Sequence, residues 1–285
     1  MPLPISAAVP LPNSNNNLDS SNDVSKKIDD ASNIVSKKKA LIAFLMGGDP
    51  DIETTENLIC AMAEAGVDLF EIGIPFSDPA ADGIVIQQAS VRALERGCTA
   101  DDLFNMVKRL RTKISAPMVF LTYANSIFAY GKERFMERCR DCGIDGVIVP
   151  DIPFEEKAEL SGVCEKFGIA QIMIVAPTSK ERTETIARDA DGFLYCVSTL
   201  GVTGIRDEIR TNMSEIIERV RKVSDIPCAI GFGISTPEQA RDMASVSDGA
   251  IIGTSIVKII GEYGTDSVEP VKQYIARIRE AINQA

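Results

Sequence analysis

Two carboxylates in one short stretch have the residue type and the setting for proton transfer. Glu71 interrupts the apolar run 68–74, and Asp82 follows in a loop that contains two prolines. Side chains alternate between the faces of a strand, so Glu71 shares its face with Leu69 and Gly73. An unpaired carboxylate on an apolar strand costs on the order of several kcal/mol. Glu71 therefore calls for a functional explanation, and general acid–base chemistry is a role that such a carboxyl group suits.

The absence of histidine narrows the chemistry further. The chain contains no histidine, which removes the commonest general acid or base, the Ser-His and Cys-His nucleophilic pairs, and nearly all zinc and iron hydrolase sites. Acid–base catalysis in this chain must therefore use carboxylates, tyrosine, lysine or cysteine.

A second chemical signal is a set of glycine-rich segments late in the chain, at 198–204, 231–236 and 251–255. Glycine lets the backbone approach an anion, and the N-terminal amides of a following helix supply hydrogen-bond donors. The last two segments follow the final two predicted strands, where barrels commonly bind phosphate. Hydroxyl donors are available there from Ser235, Thr254 and Ser255. These segments predict a phosphate site.

The elements that must hold these groups alternate between strand and helix. The predicted strands, most of them near-continuous apolar runs, are Ala40–Met46, Asp68–Ile72, Met118–Thr122, Gly146–Val149, Gln171–Val175, Gly192–Cys196, Cys228–Ile230 and Gly249–Ile252. Two helical patterns, 84–95 and 100–113, fill the longest interval. Eight βα units predict a single (β/α)8 TIM barrel. A doubly wound open sheet is the alternative, but the first strand is followed by Gly-Gly-Asp-Pro rather than GxGxxG.

In a barrel, catalytic side chains lie at the carboxyl ends of the strands. The polar and aromatic candidates there are Phe44, Asp49, Glu71, Asp78, Asp82, Tyr123, Asn125, Asp151 and Tyr195. No lysine lies within or directly after these strands, which argues against a Schiff-base aldolase.

The N-terminal region differs in composition from the rest of the chain. Residues 1–22 are rich in proline, asparagine and serine and are predicted to be disordered. Residues 23–36 carry apolar side chains at helical spacing, which predicts a short amphipathic helix. Residues 37–285 then form the catalytic barrel domain.

Composition excludes several classes of partner. A net charge of −11 without a basic cluster argues against nucleic acid and anionic membrane surfaces. No apolar run approaches the roughly 20 residues that span a bilayer, and the first residues lack the basic region of a secretory signal.

Seven scattered cysteines indicate reduced thiols and a cytoplasmic protein. Cys139 and Cys142 form a lone CxxC with neither a second pair nor histidine, so no metal site is expected.

Several segments together resemble the tryptophan synthase α subunit family, the indole-3-glycerol-phosphate lyases, over residues 40–281. The matching motifs are FEIGIPFSDPAADG, ALIAF…GGDP, LTYANSIF, VPDIPFEE, GVTG, GFGIS and IIGTSIVK. The first of these matches the defining signature of that family and is highly specific.

The resemblance implies a set of site residues. Glu71, Asp82 and Tyr195 match the catalytic positions. Phe44, Leu121 and Tyr123 match the indole pocket, Gly204, Gly233, Gly253 and Thr254 match the glycerol-phosphate site, and Thr203 matches a loop that closes over the substrate. The family usually has serine at the position of Thr254.

The implied reaction is the retro-aldol cleavage of indole-3-glycerol phosphate to indole and glyceraldehyde 3-phosphate. It requires protonation of indole C3, stabilisation of positive charge at the ring N–H, and loss of the side-chain hydroxyl proton. Glu71 suits the proton transfers because burial raises a carboxyl pKa. Asp82 suits the ring N–H as an ionised acceptor, and Tyr195 is expected to position or polarise Glu71.

The resemblance also implies a partner, a tryptophan synthase β subunit in an αββα tetramer. Pyridoxal phosphate is expected only on that subunit, and no cofactor on this chain. The family usually has proline where this chain has Ile84, which is expected to loosen the loop that carries Asp82. Two alternatives stay open: a stand-alone lyase that releases free indole, and a non-catalytic phosphate-binding regulatory barrel.

Overall fold

A closed barrel of eight parallel strands forms the centre of the molecule. The computed structural model describes residues 38–179, 182–197, 206–231 and 233–285, without the side chains of 206–212. Neighbouring strands pair in chain order, and the last pairs with the first, which confirms the predicted fold. The proposed disordered tail, 1–22, and the proposed helix, 23–36, lie outside the described residues.

The strands agree with the predicted bounds to within two residues. They are β1 (Ala40–Met46), β2 (Leu69–Gly73), β3 (Met118–Leu121), β4 (Gly146–Ile148), β5 (Ala170–Val175), β6 (Leu194–Val197), β7 (Cys228–Gly231) and β8 (Gly249–Ile252). Alternate side chains point into the barrel, where Ile42, Leu69, Val119 and Ile251 pack together. The other face of each strand packs beneath the helices. Burial on both faces explains why the strands are continuous apolar runs.

The helices surround the barrel. In the described residues they are α1 (Ile52–Glu64), α2 (Ile84–Glu95), α3 (Ala100–Leu110), α4 (Ala124–Tyr130), α5 (Lys132–Cys142), α6 (Ala158–Phe167), α7 (Thr183–Arg188), α8 (Arg206–Arg221), α9 (Pro237–Val246), α10 (Thr254–Tyr263) and α11 (Val268–Ile282). The predicted helix 100–113 ends earlier, at Leu110, where Arg111 donates from its guanidinium to the carbonyls of Gly143 and Ala116. Within the described part of the chain, no helix is both long and apolar enough to cross a membrane.

Asp68 precedes β2 and anchors the amino-terminal end of the barrel. Its carboxylate accepts a hydrogen bond from the backbone N–H of Leu41 at 2.9 Å and pairs with Arg279 of α11 at 2.7 Å and with Lys38 at 2.8 Å. This cluster ties the C-terminal helix to the base of the barrel. The opposite end, where the strands terminate, carries the loops of the candidate site.

Candidate active site

A cavity opens at the carboxyl ends of the strands. Its wall is formed by Phe44, Glu71, Asp82, Ile86, Leu121, Tyr195, Gly233, Ile234, Ile251, Gly253 and Thr254. Of the site residues that the family resemblance implies, Thr203 and Gly204 lie outside the described residues, Tyr123 is not part of this wall, and the others are on it. Sequence reasoning missed Ile86, Ile234 and Ile251.

Glu71 enters the cavity from inside the barrel. It lies on β2 in register with Phe44 of β1, and only 1% of its surface is exposed. Its Oε2 atom has no hydrogen-bond partner among the described residues. Burial, with a further contribution from the negative charge of Asp82, raises the pKa of Glu71 to about 8. The carboxyl group is therefore mostly protonated at neutral pH and can act as an acid.

Tyr195 lies beside Glu71 on the inner face of β6. Burial, with a smaller contribution from Glu71, raises the pKa of its hydroxyl well above the ordinary value, so Tyr195 keeps its proton. Gly231 makes room for this ring, because a Cβ atom there would lie 2.6 Å from the Tyr195 hydroxyl. The first glycine of the segment 231–236 thus shapes the cavity beside Tyr195, a purpose different from the anion contact that the sequence predicted.

Tyr123 holds the loop that carries Asp82. Its hydroxyl hydrogen-bonds the carboxylate of Asp82 and accepts a hydrogen bond from the backbone N–H of Ala81 at 3.1 Å. Its ring stacks on Phe76, with 5.2 Å between the ring centroids. Burial raises the pKa of Asp82, and the hydrogen bond from Tyr123 opposes that rise. Gln87 adds a hydrogen bond to the Asp82 carbonyl at 2.8 Å.

An ion pair that the sequence did not predict fixes α2 above the barrel. Arg92 of α2 donates from Nε and Nη2 to the two carboxylate oxygens of Asp49, each at 2.7 Å. Asp49 is fully buried after β1, and a two-point contact of this kind fixes orientation as well as distance. Because α2 begins two residues after Asp82, the pair also helps to hold the loop that carries that carboxylate.

The glycine turns after β7 and after β8, which contribute Gly233 and Gly253 to the cavity wall, differ in how the following helix is capped. The N-terminus of α9 is closed by its own side chains: Thr236 and Gln239 form a capping box. The side-chain oxygen of Gln239 also accepts from the N–H and the hydroxyl of Ser235. By contrast α10 begins at Thr254, and its N-cap residue Gly253 provides no side-chain cap among the described residues. Its first amides and the exposed Thr254 hydroxyl therefore face the cavity mouth.

Gly233 supplies the conformation that the β7 turn requires. Its φ of +75° lies in the left-handed region that favours glycine, and a Cβ atom there would meet nothing within 4 Å. Its backbone is thus free to approach a ligand. The Ser235 hydroxyl, which the sequence suggested as a further donor, is instead directed at Gln239.

Other candidate residues have structural contacts. Asp151 accepts hydrogen bonds from the backbone N–H of Ala124 at 3.0 and 3.2 Å and so caps α4. Cys139 and Cys142 are buried, and burial raises the pKa of both thiols. In the described residues no cluster of three or more His, Cys, Asp or Glu side chains is arranged to hold a metal ion.

The first residue of α2 offers a test of loop stability. Ile84 is 66% exposed, follows Gly83 at φ −73° and ψ 163°, and occupies a helix position whose N–H needs no intrahelical partner. We expect Ile84→Pro to stabilise the protein by about 0.4–1 kcal/mol, because proline restricts the unfolded chain. Thermal unfolding should show a midpoint about 1–4 °C higher.

Val91→Pro is the matched control for that change. Val91 is also exposed and on the same helix, but an interior proline costs about 3 kcal/mol. A lower unfolding midpoint in Ile84→Pro would show that the start of α2 does not tolerate the fixed φ of proline.

Comparisons with known proteins agree with one another. A sequence profile of the family described as "Tryptophan synthase alpha chain" matches residues 31–285. The chain is 45% identical over 247 residues to the tryptophan synthase alpha chain of a Thermoanaerobacter species, covering 86% of this chain and 94% of that one. It is 46% identical over 231 residues to the alpha chain of Methanocaldococcus jannaschii, covering 79% and 81%.

Solved structures give the same result. The tryptophan synthase subunit alpha of Legionella pneumophila superposes with a TM-score of 0.82 at 32% identity, covering 92% of this chain and 98% of that one. A chain from the tryptophan synthase α2β2 complex of Pyrococcus furiosus gives a TM-score of 0.79 at 34% identity, covering 85% and 98%. The profile match and the identities over most of the chain show that this protein belongs to the tryptophan synthase alpha chain family.

Proposed function

We propose that this chain cleaves indole-3-glycerol phosphate to indole and glyceraldehyde 3-phosphate as the α chain of a tryptophan synthase. The observation that carries the proposal is the pair of carboxylates in one cavity: a buried Glu71 with a raised pKa beside an Asp82 held by Tyr123. Two carboxyl groups whose environments separate their protonation states can divide acid and electrostatic roles between them.

The cavity wall has an apolar side for the indole ring. Phe44, Leu121, Ile86 and Ile234 line it, and such side chains favour a flat aromatic group over water. The wall also carries Gly233, where the backbone is accessible, and the uncapped start of α10. We assign the phosphate to these backbone groups, because helix N-terminal amides attract anions.

Groups on this chain can carry out every proton transfer of the cleavage reaction. Protonated Glu71 gives its proton to indole C3, and the ring nitrogen becomes positively charged. The Asp82 carboxylate accepts a hydrogen bond from the ring N–H and stabilises that charge. The Glu71 carboxylate then takes the proton of the side-chain hydroxyl as the C–C bond breaks, and the bonding electrons return to the indole ring. Glu71 ends protonated, ready for another cycle.

Tyr195 assists without losing its proton in this scheme. Its hydroxyl has a pKa well above the ordinary value and lies next to Glu71. It can donate a hydrogen bond to the Glu71 carboxylate formed after the first transfer, which stabilises that intermediate. These steps use only carboxyl and hydroxyl groups of this chain. Pyridoxal phosphate is assigned to the partner β chain.

We also propose assembly with a β chain into an αββα tetramer, with indole passed between the subunits. The support is the likeness to a chain from the tryptophan synthase α2β2 complex of Pyrococcus furiosus, a complex that shows mutual activation. Phe128, which is 44% exposed on α4, offers apolar surface for such a contact. The seven free cysteines fit a reducing, cytoplasmic location.

Indole release from the purified full-length chain, with and without a cognate β chain, tests the proposal. We expect slow release alone and stimulation of at least about tenfold with the β chain, because a partner can shift the cavity loops toward a closed state. The β chain alone is the control. Fast release that the β chain leaves unchanged would favour the stand-alone lyase. No release under either condition would favour the regulatory barrel and overturn the catalytic proposal.

A further inference from the structure

The hydroxyl of Tyr274 connects the two glycine turns of the cavity from a distant part of the sequence. Tyr274 lies in the C-terminal helix α11 and is 8% exposed. Its hydroxyl donates to the backbone carbonyl of Ser235, after β7, at 3.0 Å. It also hydrogen-bonds the side chain of Ser255, the second residue of α10.

The direction of these hydrogen bonds follows from the groups available. A tyrosine hydroxyl carries one proton, and in Tyr274 that proton goes to the carbonyl of Ser235, which can only accept. The Ser255 hydroxyl must therefore donate to the Tyr274 oxygen. The result is a directed series of hydrogen bonds from Ser255 through Tyr274 to Ser235, which connects the start of α10 with the turn after β7.

The other polar groups of Ser235 are already engaged. The N–H and hydroxyl of Ser235 both contact Gln239, so its carbonyl is the group left for an outside partner. The Tyr274 hydroxyl donates its hydrogen bond to that carbonyl. Its other contact, Ser255, directly follows Thr254 at the cavity mouth. A side chain that does not line the cavity therefore connects the turn after β7 with the start of α10.

We propose that Tyr274 is the positioning residue for the phosphate group of the substrate. It fixes the separation of the two turns before the ligand arrives, so that binding does not have to order them. This inference rests on the phosphate site proposed above. It assigns to the C-terminal helix a part in substrate affinity, in addition to its packing on the barrel.

Tyr274→Phe removes the hydroxyl and keeps the ring. With the full chain, we expect the Kd for glycerol 3-phosphate, measured by calorimetry, to rise about five- to tenfold, the loss that one hydrogen bond commonly produces. The KM for indole-3-glycerol phosphate should rise by a similar factor, with kcat within about twofold, since the carboxylates are untouched.

Tyr130→Phe is the matched control. It also removes a tyrosine hydrogen bond, to Asp101 at 2.7 Å, away from the cavity. Both variants are expected to lower the unfolding temperature slightly, but only Tyr274→Phe should weaken glycerol 3-phosphate binding. A loss of equal size in both would indicate a general loss of stability and overturn the proposal.

Ser255→Ala provides the second, independent variant. It removes the hydrogen bond at the other end of the same series and should also weaken glycerol 3-phosphate binding. Combined with Tyr274→Phe it should add little, because both changes interrupt one connection. If the unaltered chain fails to bind glycerol 3-phosphate, the proposed phosphate site is wrong. If it binds and either single variant binds equally well, the role of Tyr274 is wrong.

Discussion

Glu71→Gln is expected to reduce the kcat for indole release by about 10³-fold, within the range that a positioned acid–base group supplies. Glutamine keeps the shape of the side chain but can neither give a proton to indole C3 nor take one from the hydroxyl. Glycerol 3-phosphate binding should stay within about twofold, because the substitution leaves Gly233 and the start of α10, the proposed phosphate contacts, unaltered. Steady-state indole release and calorimetry measure the two effects separately.

Asp51→Asn is the matched control for this carboxyl-to-amide change. Asp51 caps α1 at the same end of the barrel, where it accepts a hydrogen bond from the N–H of Thr54 at 2.7 Å. Asparagine caps a helix equally well, so activity should be unchanged. Retention of more than a tenth of the kcat by Glu71→Gln would exclude Glu71 as the proton shuttle.

Asp82→Asn is expected to lower kcat by about 10²–10³-fold, as commonly found when a preorganised electrostatic contact is removed. An amide oxygen can still accept a hydrogen bond from the indole N–H but carries no charge to oppose the developing cation. KM should change less than kcat, since the contact strengthens mainly in the transition state. Steady-state kinetics of indole release checks this, and a kcat within threefold of the unaltered chain would contradict the role.

The pH dependence gives an independent check on the same pair. The unaltered chain needs protonated Glu71, so its kcat/KM should fall as the pH rises through about 8. The negative charge of Asp82 contributes to that raised pKa. In Asp82→Asn the charge is gone, the Glu71 pKa falls, and the alkaline limb of the profile should move to lower pH. A limb that stays in place would show that another group controls it.

Tyr123 makes a contact that the sequence does not predict, the support of the loop that carries Asp82. The family resemblance places Tyr123 in the indole pocket; in the structure its hydroxyl contacts Asp82 and the backbone N–H of Ala81, and its side chain is not part of the cavity wall. An aromatic residue two positions after a strand can either line the pocket or support the neighbouring loop, since both positions are buried. Which of them it takes depends on the loop 75–83, whose path is not set by local periodicity.

The two glycine turns show the same limit. Both follow a strand, both precede a helix, and both contain glycine and hydroxyl side chains. The capping pair Thr236 and Gln239 was visible as a sequence pattern, and it predicts that α9 satisfies its own amides. The absence of such a pair at Gly253 leaves α10 open among the described residues. The presence of a capping pair at one helix start and its absence at the other thus distinguish the two turns in the sequence.

The sequence by itself determined the strand–helix alternation, the closed barrel and the unusual position of Glu71. The alternation and the position of Glu71 depend on residues a few positions apart, because strand and helix periods of two and about 3.6 residues are properties of the local backbone. The barrel is then predicted from eight such strand–helix units in succession. The tertiary structure alone decided that Arg92 pairs with Asp49, that Tyr123 supports Asp82, and that Tyr274 spans the two turns. Each of these contacts joins side chains far apart in the chain, and their partners are selected only when the barrel closes and brings the elements together.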